Sequence, residues 1–565
     1  MDGGPRKKIR IGDLLVSAQA ITEEQLMAAL AEQKQTGRKL GHTLVNMGLV
    51  TEKDLLELLS QQLQIPLLDI SQNLPTQTIA KRLPETIARR YRVLLLEERE
   101  RDVLLAMSDP TDLFAYDEVS RMLKKRVRQA VVSESELIRA IDLVYRDDDE
   151  LNDLAADLHE ELRQGDVDLG EILQSSGAED APVIRLLHKL FEDALSQHAS
   201  DIHIEPEESV LRIRMRVDGV LREQVMNEVR IASALVQRLK LLANLDISEK
   251  RLPQDGRFQF KVKQHQVDVR LSTLPLATGE AVVMRLLDQS GGILSLKQLG
   301  MPEALRLRVR QIVGHPHGML LVTGPTGSGK TTTLYAALSE LNRPESKIIT
   351  VEDPVEYRLD RVNQVQVHEQ IGLTFARVLR TALRQDPDVI LVGEMRDLET
   401  AQIGLRAAIT GHFVLSTLHT NSAIDTVSRL LDMGAPGYLM ATALQGVLAQ
   451  RLVRRVCSNC AQPYQPDEHE LTWLNENAPE MAHAAFVEGE GCPSCSHTGY
   501  KGRVGVYELL ELHGELLSAL RNEDIDGFAQ VARGAPGFVS LTESALALAA
   551  EGSTSLQEAM RITGE

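Results

Sequence analysis

Residues 318–338 read GMLLVTGPTGSGKTTTLYAAL, an apolar run followed by a glycine-rich turn and then a pattern typical of a helix. The spacing Gly324-x4-Gly329-Lys330-Thr331 between a strand and a helix matches the phosphate-binding P-loop. Glycines let backbone N–H groups close on phosphate oxygens, and the positive end of the following helix dipole adds to the attraction. A plain glycine-rich turn is the alternative, and the flanking strand and helix patterns disfavour it.

The P-loop predicts a site for ATP and its magnesium ion. Lys330 is predicted to reach the terminal phosphates, and the Thr331 hydroxyl is predicted to ligate Mg²⁺. The residues expected to bind ATP and Mg²⁺ are Gly324, Pro325, Thr326, Gly327, Ser328, Gly329, Lys330, Thr331 and Thr332.

The length and charge of the chain limit its class. With 565 residues, it is too long for one hydrophobic core, and we expect three or four domains. A formal net charge of -19 disfavours a broad nucleic-acid surface, which requires a basic face. The start MDGGPRKKIR leads into no apolar segment, and no apolar run of about 18 residues occurs, so we expect neither a signal peptide nor a transmembrane helix. These patterns predict a cytoplasmic protein.

The order of patterns along the chain predicts several regions. From Gly318 onward, apolar strands alternate with helical segments, which is typical of a parallel sheet. The predicted regions are, in order, a regulatory or docking domain over 1–145 with a tandem 24-residue repeat at 10–33 and 39–62, an acidic linker over 146–180, an α+β domain over 181–292, and a parallel-sheet domain over 297–565.

Carboxylates and histidines lie at the ends of three more strand-like runs of the parallel-sheet domain. Glu352 and Glu356 follow one run, Glu394 follows the run in DVILVGEMRD (388–397), and His412 and His419 flank a third. Taken singly, each group can be a charged loop or a satisfied core histidine. Together behind a P-loop they predict a single site, because side chains at strand ends can converge at one sheet edge.

These elements, in this order and spacing, resemble the secretion ATPase superfamily of type II secretion and type IV pilus assembly. In that family they are called Walker A, Asp box, Walker B and His box. The resemblance covers essentially the whole chain. It implies a multidomain α/β protein whose RecA-like P-loop ATPase core follows a PAS-like α+β domain and a helical N-terminal domain. It also implies a homohexamer in which Lys330, Glu352, Glu356 and Glu394 are catalytic, with Glu356 the better candidate to polarise water.

Arginines could supply further positive charge to a phosphoryl-transfer site. The resemblance favours Arg251, Arg270, Arg380 and Arg384 as nucleotide contacts in a cleft between two domains, together with His412 and His419 as sensors. A solvated basic face is one alternative for these arginines. A nucleic-acid stripe is another, and the acidic total charge disfavours it.

All four cysteines fall in two Cys-x-x-Cys pairs, Cys457 with Cys460 and Cys492 with Cys495. Two such pairs can close a tetrahedral structural Zn²⁺ site, and metal is favoured over disulfides in a cytosolic chain. Redox-active or simply buried thiols are the alternative. The resemblance implies a zinc lobe over 457–495, with C-terminal helices after it. Pilus retraction ATPases usually lack this lobe and the long N-terminal region, so retraction is disfavoured.

The tandem repeat resembles the cyclic-di-GMP-binding N-terminal domain found in some of these ATPases. Positions that match are Arg10, Gly12, Gln33, Lys39, Gly41 and Gln62. An arginine can stack on guanine, whereas the lysine at 39 lacks the same planar fork. A helical docking module for an inner-membrane partner is the alternative.

These observations predict an ATPase that acts at the inner membrane through platform proteins and is regulated by cyclic-di-GMP. Assembly of a pseudopilus in type II secretion is the first expectation, and extension of a type IV pilus is its rival. A cyclic-di-GMP receptor with slow ATP turnover is an alternative of another class. A DNA translocase is a third, which the acidic charge disfavours; no nucleic-acid partner is expected.

Overall fold

The computed structural model of the chain describes two compact units. The described residues are 21–36, 65–70, 74–99, 102–110, 112–145, 182–262, 265–288 and 292–563, with isolated positions between 44 and 63 and between 154 and 158. The N-terminal unit includes residues 1–148, and the larger unit begins at residue 149. None of the helices in this described part combines the length and hydropathy that a bilayer-spanning segment requires.

The N-terminal unit contains a three-stranded sheet and several helices. Its elements are α1 (Glu23–Thr36), α2 (Gln77–Ala80), α3 (Glu85–Tyr91), β1 (Val93–Glu98), β2 (Asp102–Met107), α4 (Leu113–Leu123), β3 (Arg126–Val131) and α5 (Glu134–Val144). Strand β1 pairs antiparallel with β2, and β2 pairs parallel with β3. At the start of α1, Thr22 and Gln25 each accept a hydrogen bond from the other's backbone N–H, which forms a capping box.

The larger unit begins with an antiparallel sheet that packs against two helices. Its elements are α6 (Pro182–Ser196), β4 (Ala199–Pro206), β5 (Leu211–Val217), β6 (Val220–Met226), α7 (Ile231–Leu242), β7 (Gln254–Val262), β8 (His265–Leu276) and β9 (Gly279–Asp288). The strand order is β6-β5-β4-β9-β8-β7. Every second residue of β5 is buried because only one face of this sheet packs against α6 and α7. We call this part the α+β domain.

The remainder of the larger unit is built on a second sheet, and we call it the P-loop domain. Its first elements are α8 (Glu303–Val313), β10 (Gly318–Thr323), α9 (Lys330–Leu341), β11 (Ile348–Glu352), β12 (Val362–Gln366), α10 (Phe375–Ala382), β13 (Val389–Val392), α11 (Leu398–Ile409) and β14 (Phe413–Leu418). They are followed by α12 (Ala423–Asp432), α13 (Gly437–Ala443), β15 (Leu444–Val456), β16 (Ala461–Tyr464), α14 (Glu468–Asn477), β17 (Phe486–Gly489), β18 (Tyr500–Glu511), α15 (Glu515–Arg521), α16 (Ile525–Arg533), α17 (Leu541–Ala550) and α18 (Leu556–Thr563).

The sheet of the P-loop domain has the strand order β12-β11-β13-β14-β10-β15-β18. Its strands run parallel except β18, which pairs antiparallel with β15. Every residue of β10, β11, β13 and β14 is buried. Strands that are buried on both faces of a parallel sheet have short apolar sequences, and these four strands follow that pattern. The predicted mixed α/β fold class is confirmed.

Several predictions fall on residues that the structure does not describe. The acidic linker at 146–180 lies almost wholly outside the described residues. The same holds for five of the positions matched to cyclic-di-GMP binding, namely Arg10, Gly12, Lys39, Gly41 and Gln62. Gln33 belongs to α1, and its side chain lies outside the described part.

A buried ion pair holds the α+β domain together. Lys240 in α7 is fully buried, and its Nζ donates to a Glu280 carboxylate oxygen of β9 and, at 2.7 Å, to the Glu249 carbonyl oxygen. Glu280 is itself only 9% exposed. Removing one partner of such a pair is costly, because the other charge stays buried without compensation.

We therefore expect Lys240→Met to lower the local stability of the α+β domain by about 3–5 kcal/mol. Hydrogen exchange of the amides in α7 and β9 would measure this loss as faster exchange. The double variant Lys240→Met, Glu280→Leu removes both charges and should recover most of the protection. Unchanged exchange in the single variant would contradict the expectation.

Candidate functional site

The loops that follow β10, β11, β13 and β14 meet at one edge of the P-loop domain sheet. These four parallel strands are direct neighbours in the order β11-β13-β14-β10, so their carboxyl ends lie side by side. A cavity of about 620 Å³ opens there, between this edge and residues of the α+β domain. It is lined by the P-loop and by Glu352, Glu356, Glu394 and His419. Ligands of open α/β sheets bind at such an edge.

The P-loop has the backbone geometry that a phosphate-binding loop requires. Gly324 and Gly329 have φ angles of 147° and 90°, in the region that favours glycine. A Cβ on Gly324 would lie 2.4 Å from the carbonyl oxygen of Gln450, and a Cβ on Gly329 would lie 2.7 Å from the Nε2 of Gln450. Buried Gln450 in β15 also donates to the Ser328 carbonyl oxygen at 2.7 Å and accepts from the Thr333 hydroxyl at 2.7 Å. Gln450 therefore braces the loop from behind, and motif spacing gave no sign of it.

Lys330, the first residue of α9, bonds to its own loop. Its Nζ donates to the carbonyl oxygens of Gly324 at 2.7 Å and Pro325 at 3.0 Å. Burial lowers the pKa of Lys330 to about 8, although the nearby Glu394 carboxylate acts in the opposite direction. The ammonium group that would bind a phosphate is thus hydrogen-bonded to two carbonyl oxygens of its own loop.

Glu394 is held on both of its carboxylate oxygens. Arg396 donates to Oε1, and the His419 Nε2 lies 3.3 Å from Oε2. Arg396 also lies 3.7 Å from the Asp353 carboxylate. The preceding Gly393 is packed closely, because an added Cβ would lie 3.2 Å from the Val351 carbonyl oxygen of the adjacent strand. Close packing at this position favours glycine over a residue with a side chain.

Glu356 forms a bidentate ion pair with Arg270 of β8. Arg270 donates to the two carboxylate oxygens at 3.1 Å and 2.6 Å. A planar guanidinium fits a carboxylate in this two-pronged way, which makes the pair strong and directional. The contact joins the α+β domain to the P-loop domain at the cavity.

Glu352 is nearly completely buried and is surrounded by donors. The hydroxyls of Tyr335 and Thr350 donate to its two oxygens, and the Gln364 Nε2 donates to Oε1 at 3.2 Å. Burial, and next the Glu352 charge, raise the pKa of Tyr335, so its hydroxyl keeps the proton it donates. These contacts indicate a carboxylate that organises the strand end.

Four predicted site residues are not brought to the cavity within one chain. His412 precedes β14 while His419 follows it, so the strand separates them by roughly 20 Å. His412 instead bonds to the Ala407 carbonyl oxygen at 3.0 Å. The expectation that both histidines lie at one edge of the sheet is therefore wrong. The three arginines are exposed and have local partners: Arg251 pairs with Glu249, Arg380 with Glu399, and Arg384 with the Arg380 carbonyl oxygen.

Other residues of the cavity wall were not expected. Arg285 of β9 and Arg503 of β18 line it, each near an aspartate of the α+β domain, Asp201 at 3.1 Å and Asp218 at 3.7 Å. Apolar side chains of Ile293 and Leu294, between the two domains, also line it. No motif marks these residues, because their role depends on contacts between distant parts of the chain.

The four cysteines form a compact cluster. Their Sγ atoms lie within 4.8 Å of one another, and none is in a disulfide. The Sγ atoms of Cys492 and Cys495 are 3.8 Å apart. Thiolates bound to Zn²⁺ at about 2.3 Å in a tetrahedron would be about 3.8 Å apart, so this pair fits zinc. Helix α14 lies between the two pairs in the chain.

Comparisons with known proteins give the family. The family model described as "Type II/IV secretion system protein" matches residues 176–561, which is more than half of the chain. The chain belongs to this family. The resemblance drawn from its sequence motifs is confirmed, and the protein is an ATPase.

Two relatives of this secretion ATPase match nearly their whole length. The type IV pilus assembly ATPase PilB of Myxococcus xanthus is 40% identical over 562 residues, covering 97% of this chain and 98% of that protein. The type II secretion system ATPase E of Vibrio cholerae is 43% identical over 497 residues, covering 86% of this chain and 97% of that protein. Both are named as ATPases, and ATP with Mg²⁺ is the cofactor set that the family implies.

Two further matches concern the architecture. The X-ray structure of the Legionella pneumophila ATPase DotB aligns with a TM-score of 0.50 at 22% identity, covering 67% of this chain and 95% of that chain, which shows a shared fold. A second family model, described as "MshEN domain", matches residues 63–151. That match begins immediately after the tandem repeat.

The low pKa of Lys330 predicts a pH dependence of nucleotide binding. Phosphates favour the charged ammonium, so above about pH 8 binding must take up a proton. We expect ATP affinity to fall as pH rises through about 8, by up to about tenfold per pH unit. Calorimetry in buffers of different ionisation enthalpy would measure the proton uptake.

A Lys330→Arg variant is the control, because its guanidinium stays charged over this range. Its nucleotide affinity should not show the loss above pH 8. A wild-type affinity that is flat between about pH 7 and pH 9.5 would contradict the prediction.

Proposed function

We propose that this ATPase powers type II protein secretion by driving assembly of a pseudopilus. The observation that carries the proposal is the arrangement of the cavity, in which a P-loop faces Glu394 and Glu356 while the α+β domain supplies Arg270 and Arg285. Such a site can convert ATP hydrolysis into movement between two domains. Membership of the secretion-system family supports protein secretion as the outcome of that movement.

In the proposed reaction, residues of the P-loop hold the nucleotide. Backbone N–H groups between Thr326 and Thr332 would surround the phosphates, Lys330 would leave its carbonyl partners to bind them, and the Thr331 hydroxyl would ligate Mg²⁺. Glu394 lies close enough to Lys330 to affect its protonation, which supports a role at the phosphate end of the cavity. It would act on Mg²⁺ and the attacking water.

Glu356 is proposed to polarise the attacking water, with Glu352 as a supporting acid. In the structure both oxygens of Glu356 are engaged by Arg270, so Glu356 must exchange this partner for water during the cycle. The charge of Arg270 would then be available to the phosphates. Breaking and remaking this pair would couple hydrolysis to domain movement.

The active assembly is proposed to be a homohexamer. Arg251, Arg380 and Arg384 are exposed and lie away from the cavity of their own chain, so a neighbouring subunit is the site they could serve. An arginine supplied by a neighbour can accelerate phosphoryl transfer by several orders of magnitude. His419 would report the state of Glu394 from within the chain.

Partners and cofactors complete the proposal. Cys457, Cys460, Cys492 and Cys495 would hold a structural Zn²⁺, which would stabilise the lobe formed by β16, α14 and β17. The protein would act in the cytoplasm and reach the inner membrane through platform proteins of the secretion system.

Extension of a type IV pilus is the second candidate function. It is favoured by the match with PilB of Myxococcus xanthus, which extends over 97% of this chain, whereas the match with the Vibrio cholerae ATPase covers 86%. Sequence identity slightly favours type II secretion, at 43% with the Vibrio cholerae ATPase against 40% with PilB.

An experiment in the source organism distinguishes the two candidate functions. We expect that deleting the protein removes secreted enzymes from the medium and leaves surface pili intact, and that wild type restores secretion. A Glu394→Gln variant keeps the shape of the side chain without its negative charge, and it should fail to restore secretion. Loss of pili with normal secretion would assign the protein to pilus extension instead.

Cyclic-di-GMP is proposed as the regulator. The spacing of the tandem repeat and the MshEN domain match at 63–151 support binding in the N-terminal region. A second messenger bound there would raise or lower ATP turnover in the larger unit. A receptor whose ATPase is merely slow would show the same binding without a change in turnover.

Calorimetric titration of cyclic-di-GMP into the full chain tests this regulation. We expect binding that Arg10→Ala abolishes, because alanine cannot stack on guanine. Lys39→Arg should tighten binding by restoring the planar fork in the second repeat. Absence of binding in the wild type would leave the repeat as a docking module. The assignment of the protein as an ATPase does not depend on that result.

A further inference from the structure

A chain of three threonine hydroxyls connects the P-loop to the loop that carries His419. Thr323 is the last residue of β10 and immediately precedes Gly324 of the P-loop. Its hydroxyl forms a short hydrogen bond with the hydroxyl of Thr420, which in turn lies 2.6 Å from the hydroxyl of Thr426 in α12. Thr323 and Thr426 are both fully buried.

The Thr323 hydroxyl fixes the backbone on both sides of His419. It lies 3.1 Å from the Leu418 carbonyl oxygen and accepts from the Thr420 N–H at 3.2 Å. The two residues that flank His419 are therefore bound to the residue that immediately precedes the P-loop. A hydroxyl has only one proton to donate, so any change in the partners of Thr323 redistributes these bonds.

The far end of the chain is also anchored. The Thr426 hydroxyl donates to the Ser422 carbonyl oxygen at 2.9 Å, and the N–H of Ala423 donates to buried Glu508 at 2.7 Å. The start of α12 is thus fixed to β18. A displacement at Thr323 would therefore move the segment between Leu418 and Thr420 more readily than the start of α12.

Nucleotide binding would create such a displacement. Lys330 now donates to the carbonyl oxygen of Gly324, the residue after Thr323. To reach a phosphate, the ammonium must release that carbonyl, which changes the contacts at the start of the loop. At the other end of the connection, the His419 Nε2 lies 3.3 Å from the Oε2 of Glu394.

We propose that Thr420 is a positioning residue for ATP hydrolysis. Its hydroxyl transmits the state of the P-loop to His419, and His419 places the Glu394 carboxylate for reaction. This inference rests on the proposed role of Glu394 in hydrolysis. It assigns a role to a residue that touches neither the P-loop nor the Glu394 carboxylate itself.

Thr420→Val and Thr420→Ser form a matched pair of variants. Valine has nearly the shape of threonine without the hydroxyl, and serine keeps the hydroxyl without the methyl group. Both outer threonines retain carbonyl partners in the valine variant, Leu418 for Thr323 and Ser422 for Thr426. We therefore expect both variants to fold, with thermal transitions close to the wild type.

We expect Thr420→Val to lower kcat by about tenfold and to change KM for ATP by less than about twofold, because misplacement of a reacting group affects the transition state more than binding. Thr420→Ser should retain kcat within about twofold. Equal losses in the two variants would show that shape matters and the hydroxyl does not, which would overturn the proposal.

A double-mutant cycle with His419→Ala tests the route. If Thr420 acts through His419, adding Thr420→Val to His419→Ala should lower kcat no further. Additive losses would overturn the proposal. Glu394→Gln, measured alongside, separates the two ideas: if it is inactive while Thr420→Val equals the wild type, only the positioning role fails, and if it is fully active, the proposed role of Glu394 fails.

Discussion

The parallel pairing of β11, β13, β14 and β10 is the constraint on which the site depends. Val392 pairs with Ser416 on one side and with Val351 on the other, so the three strands end within two residues of one another in the register. The Ser416 hydroxyl donates to the Val392 carbonyl oxygen at 2.8 Å, and the Thr417 hydroxyl donates to the Gly393 carbonyl oxygen at 2.7 Å. Because backbone bonds fix this register, residues far apart in sequence meet without any local signal between them.

The fold and the centre of the site could be predicted because their signals are local. The P-loop spacing and the buried run Val389–Val392 each lie within one short segment, and parallel strands place whatever follows them at one edge. The same rule locates Glu394 and His419. It also shows why the expectation for His412 was wrong: that residue precedes its strand, and a position before a parallel strand lies at the opposite edge.

Residues that support the site from a distance could not be predicted in this way. Gln450 is an ordinary glutamine in an apolar strand, and its contact with the P-loop depends on the pairing of β15 beside β10. The partnership of Arg270 with Glu356 depends on how two domains meet. Glu352 matched an expected catalytic pattern, yet three donors now occupy it. The strand pattern located that carboxylate correctly and carried no information about the groups around it.

The contacts between the α+β domain and the P-loop domain differ in what a nucleotide would do to them. Asp218 accepts from the Gly502 N–H of β18 at 2.9 Å, and this backbone donor has no charge to offer a phosphate, although Arg503, 3.7 Å from Asp218, lines the cavity. Arg270 on Glu356, in contrast, is a cation held by a carboxylate at the cavity, and a nucleotide with its Mg²⁺ would compete for both partners. A ligand shifts a structure only by binding its states differently. Of the Arg270–Glu356 pair and the Gly502–Asp218 hydrogen bond, the pair is therefore the contact whose free energy would change with the nucleotide.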